Sequence, residues 1–145
     1  MLGRKEILAL LPHGAAFLFL DAAEVDTDEV FGRYRITGEE CFAGAHFPGR
    51  YVFPASIMSE ALGQLGVVYL SHNMKSRGLR SDSIFFISSE DVSCRRQCRP
   101  GETLEMHLKL LRVREPLIVF SGSIHVDGDS VLKVSSLTLS FSTQA

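Results

Sequence analysis

Glu60 is the one formally charged residue between Arg50 and Lys75, and its neighbours are almost all apolar or small. Desolvating a carboxylate is costly, so an ionisable group in such a stretch is paired, neutralised or functional. On this pattern alone a structural role, such as a bond to a backbone amide, accounts for it equally well. His46 lies upstream in Ala45-His46-Phe47-Pro48-Gly49, between apolar and turn-forming residues. Imidazole exchanges a proton near neutral pH, although a lone loop histidine more often only packs or faces water. A histidine and a carboxylate meeting on one apolar site would form an acid/base pair. The third element is a helix start at Pro54, where the N–H groups of Ala55, Ser56 and Ile57 lack intrahelical partners. With the helix dipole behind them, they could stabilise a carbonyl oxygen gaining negative charge. Every helix has such an end, so it counts only in combination with the other two.

The elements that must position these groups are readable from the pattern. Lys5 to Leu11 reads as a short helix stopped by Pro12, followed by a buried strand from Phe17 to Ala22. From Glu29 to Thr37, Val30, Gly32, Tyr34 and Ile36 alternate with Phe31, Arg33 and Arg35, the period of a strand. Glu39 to Phe53 has no period and holds Gly44, Pro48 and Gly49, which makes it a long loop of the kind that is more often functional than filler. The helix from Pro54 to about Leu70 is apolar on every side, so most of it is expected to be buried. Glu60 would lie roughly 9 Å below its mouth. Gly63 and Gly66 in its interior each cost roughly 0.5–1 kcal/mol relative to alanine, which predicts close packing against the backbone there. Lys75 to Ser83 is polar and reads as an exposed connection. Four strands follow, Ile84–Val92, Thr103–Val113, Leu117–Val126 and Val131–Phe141, with a tight hairpin turn at Asp127-Gly128-Asp129. Strands wrapped around a single apolar helix define an α+β architecture, here one domain over residues 1–145. Such strands leave an edge that calls for a partner.

Composition narrows the classes. The 145 residues are 46% hydrophobic and 22% charged, with a formal net charge of −2 and a pI near 6.2. That is a globular balance with no general attraction for nucleic acid or anionic lipid. The three cysteines make a disulfide framework improbable and favour a reducing cytoplasm. The apolar N-terminal stretch resembles a secretory signal, but Glu6 and Pro12-His13-Gly14 interrupt it, and neither half reaches the roughly 18 apolar residues of a membrane span. Cys94, Cys98 and His107 fall short of a zinc ligand set, so no metal is expected. Arg95, Arg96 and Arg99 form a basic turn, either simply solvated or facing an anionic partner.

Taken together, Ile7 to His13, Phe17-Leu18-Phe19-Leu20-Asp21, His46-Phe47-Pro48-Gly49-Arg50, Val52 and Pro54 with Glu60-Ala61-Leu62-Gly63-Gln64, and Arg99-Pro100-Gly101-Glu102 resemble the β-hydroxyacyl-ACP dehydratase family of type II fatty-acid synthesis. The resemblance extends to Phe120-Ser121-Gly122 and Val126-Asp127-Gly128 and runs nearly end to end. It implies a hot-dog fold, an antiparallel sheet wrapped around one long buried helix. It also implies a lyase that removes water from a β-hydroxyacyl thioester on acyl carrier protein to give the trans-2-enoyl thioester. In the family the histidine and the glutamate come from opposite subunits of a homodimer, which can assemble further as a trimer of dimers. By that resemblance His46 takes the α proton and Glu60 acts as acid at the β-hydroxyl. Gly49, Phe53, the N–H of Ala55 and Gln64 surround the substrate, with Gln64 orienting Glu60. No metal or organic cofactor is implied, and the acyl chain would lie in an apolar tunnel along the helix.

The chain departs from the family pattern where proline usually stands at Tyr51, methionine at Phe53, glycine at Ala55 and Tyr-Pro at Ala15-Ala16; Ala43 also removes an aromatic. These changes predict altered acyl specificity, as in a polyketide or polyene lipid pathway. Two other readings share the fold. One is an acyl thioesterase in which the same carboxylate activates water. The other is a non-catalytic paralogue that binds acyl chains or completes a hetero-oligomer.

Overall fold

The computed structural model describes residues 1–11, 14–45, 47–74, 78–80 and 83–143. After a two-residue strand β1 (Leu2–Gly3) comes helix α1 (Arg4–Leu10), then strands β2 (Ala22–Val25) and β3 (Glu29–Arg35). Helix α2 (Ala55–Asn73) follows, and then β4 (Phe85–Glu90), β5 (Ser93–Cys94), β6 (Thr103–Arg114), β7 (Leu117–Val126) and β8 (Asp129–Ser140). The strands form one antiparallel sheet in the order β1-β2-β3-β6-β7-β8-β4, with β5 also pairing β8. β1 and β4 therefore stand at the two edges.

The expected alternation holds in β3: Val30 and Tyr34 are buried, whereas Phe31, Arg33 and Arg35 face out. In β6, Leu104, Met106 and Leu108 turn inward, and its last residues run on beyond the core. The β7–β8 hairpin turns at Asp127 (φ 49) and Gly128 (φ 84), the paired positive φ values that a tight two-residue turn requires. α2 lies on the inner face of the sheet with Met58, Ala61, Leu62 and Leu65 fully buried. A Cβ built on Gly66 would stand 2.8 Å from Leu139 Cδ1 and 3.4 Å from Phe120 Cε2, so glycine there lets helix and sheet approach. Gly63 does not behave as expected. A Cβ there would meet nothing within 4 Å among the described residues.

A second expectation also needs correction. Phe17 to Ala22 does not form a strand: Ala15–Phe17 is a single 3₁₀ turn, Leu18 to Leu20 belong to no helix or strand, and β2 begins only at Ala22. Leu18, Phe19 and Leu20 are buried as the apolar run implied. Their backbone departs from the ladder because a helix side chain takes its place. Phe19 N–H donates to Gln64 Oε1 (2.9 Å) and Phe17 C=O accepts from Gln64 Nε2 (2.8 Å).

Candidate active site

Residues 56, 59, 60, 63, 64 and 67 recur at helical spacing and so share one face of α2. That face does not pack on the sheet. Ser56, Ser59, Glu60, Gly63, Gln64 and Val67 instead line a cavity of about 380 Å³, closed on the other side by Ile84, Phe85 and Phe86 at the start of β4 and by Leu139 of β8. An apolar recess with a few convergent polar groups is where a small-molecule site is expected.

Glu60 is half-buried at this wall and accepts a hydrogen bond from Gln64 Nε2 at 3.0 Å. Gln64 is itself buried. Its carbonyl faces an N–H, so its orientation is determined: Oε1 accepts from Phe19 and Nε2 donates to both Phe17 O and Glu60 Oε2. One buried amide thus ties the helix carboxylate to the segment ahead of β2, and both of its N–H donors are used. Replacing Gln64 with Leu would leave Phe19 N–H without this acceptor in the core. We expect Gln64→Leu to lower unfolding stability by about 2 kcal/mol, measured by urea denaturation.

The loop ahead of α2 is organised by a carboxylate that the sequence did not single out. Glu40 accepts hydrogen bonds from the hydroxyls of Tyr34 and Tyr51, from Thr37 N–H and Oγ1, and from Gly38 N–H. Burial opposes its charge, but the tyrosine hydroxyls and the backbone N–H groups of Thr37 and Glu40 outweigh it and hold the carboxyl down to about 2. Burial, followed by the Glu40 carboxylate, pushes both phenols up, so they remain neutral donors. A carboxyl whose folded value is depressed adds stability above its ordinary range, and that stability is lost as pH falls through the folded value. Glu40 therefore contributes fully above about pH 5 and progressively less toward pH 2. Solvent screening at this half-open position reduces the contribution to about 1 kcal/mol. Comparing denaturation midpoints of wild type and Glu40→Gln between pH 7 and pH 3 should show the difference shrinking as pH falls.

The other expected site residues are dispersed. Ala55 is exposed at the start of α2, and Gly49 is exposed with φ 76 in the loop. Phe53 is 1% exposed and packs edge-on to Phe19 and Phe42, in an aromatic cluster rather than on the cavity wall. His46 lies outside the described residues. Of the residues singled out for chemistry, the fold brings Glu60 and Gln64 together. Ser56 was singled out only for its N–H at the helix start, and Ser59 and the β4 residues were missed, because their place on the cavity depends on which strand crosses the helix.

Elsewhere, Arg96 pairs with Glu102 at 3.0 Å and His107 pairs with Glu29 at 2.7 Å while stacking on Phe31. The basic turn is thus partly neutralised within the chain. All three cysteines are free thiols, and no cluster that could hold a metal occurs among the described residues. No described helix is long and apolar enough to cross a membrane.

An antiparallel sheet wrapped around one long buried helix defines the α+β hot-dog class. The family model for the FabA-like domain matches residues 11–135, and the chain belongs to that family. It is 36% identical over 128 residues to the 3-hydroxyacyl-[acyl-carrier-protein] dehydratase FabZ of Caulobacter vibrioides, covering 87% of this chain and 79% of that protein. It is 33% identical over 133 residues to the FabZ of Syntrophobacter fumaroxidans, covering 91% and 89%. Among solved structures, the dehydratase heterocomplex ApeI:P from Xenorhabdus doucetiae superposes with a TM-score of 0.80 at 19% identity, over 95% of this chain and 91% of that one. The fluoroacetyl-CoA thioesterase FlK superposes at 0.65 with 13% identity, over 85% and 90%. At such identities these two share the fold alone.

Proposed function

We propose that this chain is a β-hydroxyacyl-ACP dehydratase, a hydro-lyase that converts a β-hydroxyacyl thioester to the trans-2-enoyl thioester. The carrying observation is Glu60, held by the buried Gln64 at the wall of an otherwise largely apolar cavity. The dehydratase activity of its FabZ relatives agrees with it. In this reading His46 removes the α proton and Glu60 protonates the departing β-hydroxyl. The C–O bond breaks, water leaves and the double bond forms between the α and β carbons. The N–H of Ala55 holds the thioester carbonyl as charge builds on its oxygen. Gly49 shapes the loop beside the thioester, and Phe53 supports that loop from beneath.

The working unit in this proposal is a homodimer joined along β4. That edge strand presents Phe85 (59% exposed), Phe86 (53%) and Ile87 (46%), an apolar run that would invite aggregation if left unpaired. Phe85 and Phe86 also line the cavity. A second copy paired there would cover the Glu60 site, and the partner subunit's His46 would complete it. Trimers of such dimers are a further assembly of the same unit. The substrate arrives on acyl carrier protein, the whole chain acts as one domain, and the three free thiols fit a reducing cytoplasm.

The test is hydration of crotonyl-ACP by the purified protein, followed as loss of enoyl absorbance. Turnover supports dehydratase chemistry, and its absence with intact protein refutes it. Release of free thiol from the same substrate would identify the thioesterase reaction instead.

A further inference from the structure

We infer that Gly63 is the specificity-determining residue for the acyl tail, keeping the cavity beside Glu60 open to medium and long chains. The inference rests on the dehydratase reading above, in which the β-carbon sits at Glu60. Glycine within a helix is unfavourable and is retained where something requires it. For the other glycines against the core that requirement is contact. An added Cβ would come within 2.8 Å of Leu65 Cδ1 at Gly32, 2.8 Å of Leu139 Cδ1 at Gly66 and 2.9 Å of Leu108 Cδ2 at Gly122.

No such contact explains Gly63. An added Cβ there meets nothing within 4 Å among the described residues, and the backbone is ordinary α-helix. In the single chain the room beside Gly63 belongs to the cavity that Glu60 and Gln64 line. Position 63 lies one turn along α2 from Glu60, and Val67 lies one turn beyond it on the same face. A chain leaving the β-carbon at Glu60 along this face therefore crosses Gly63 before reaching Val67 and Leu139. The cavity, at about 380 Å³, is near the lower end of small-molecule sites, so a large side chain at its middle removes a substantial part of it.

Gly63→Ala and Gly63→Leu test the inference, since a Cβ at this position meets no described backbone or core atom within 4 Å. For each protein, kcat/KM is measured with β-hydroxydecanoyl and β-hydroxybutyryl thioesters, and sedimentation reports the oligomeric state. We expect the decanoyl-to-butyryl ratio to fall about 30-fold in Gly63→Leu and about 3-fold in Gly63→Ala, the scale on which pocket size discriminates alkyl groups. A ratio in Gly63→Leu that stays within about 3-fold of wild type overturns the inference, as does equal loss of both substrates with monomer formation, which would give Gly63 a subunit-packing role. Calorimetric binding of decanoyl and butyryl pantetheine thioesters gives the same comparison without turnover. Absence of turnover in the wild type would count against the dehydratase reading, while the binding ratio would still decide the role of Gly63.

Discussion

Glu60→Gln and His46→Ala are each expected to lower kcat for crotonyl-ACP hydration by about 10³-fold, the range in which a positioned proton-transfer group acts. Gln is close in shape to Glu, and its carbonyl oxygen can still accept the hydrogen bond that Gln64 donates to Glu60 Oε2. What it cannot do is hold a transferable acid proton. The fold should therefore survive, with a denaturation midpoint near that of wild type, while the chemistry is lost. His46→Ala removes the only other proton-transfer group assigned to the reaction, and its effect should be as large. Loss of rate through kcat, rather than through KM, would show that both groups act in the transition state.

Ile87→Lys is the second large effect. Ile87 lies on the exposed edge strand β4 but not on the cavity wall, so its replacement leaves the Glu60 pocket untouched. A lysine on an edge strand opposes strand-to-strand association. If the site is completed by a second copy along this edge, the variant should sediment as a monomer and lose about 10²-fold or more in kcat/KM, the general acid/base contribution of the missing partner. A monomer with full activity would show that one chain carries the whole site.

Much of this arrangement is legible in the sequence. Pro54 and the apolar run after it marked the start and burial of α2, and the lone acid Glu60 was visible as an anomaly within that run. Alternation marked β3, and Asp127-Gly128 marked the β7–β8 turn. What stayed hidden depends on long-range partners. The segment from Phe17 to Leu20 carries a strand's apolar pattern, yet its backbone bonds to Gln64, far along the chain, and periodicity cannot reveal such a partner. Glu40 was one acid among several in a region without period. Its role appears only where the end of β3 brings Tyr34, and the loop brings Tyr51, to the same carboxylate. Gly63 and Gly66 look alike in sequence, but helix rotation turns Gly66 toward Leu139 and Gly63 toward the cavity.

The most direct measurement of the shared site is complementation between two inactive subunits. His46→Ala and Glu60→Gln chains are produced together, so that mixed dimers form at random. A mixed dimer holds one site with both changes and one with neither, so hydration should return to about a quarter of the wild-type rate. If mixed dimers are demonstrated by mass and the rate remains that of the single variants, His46 and Glu60 do not act together from two chains.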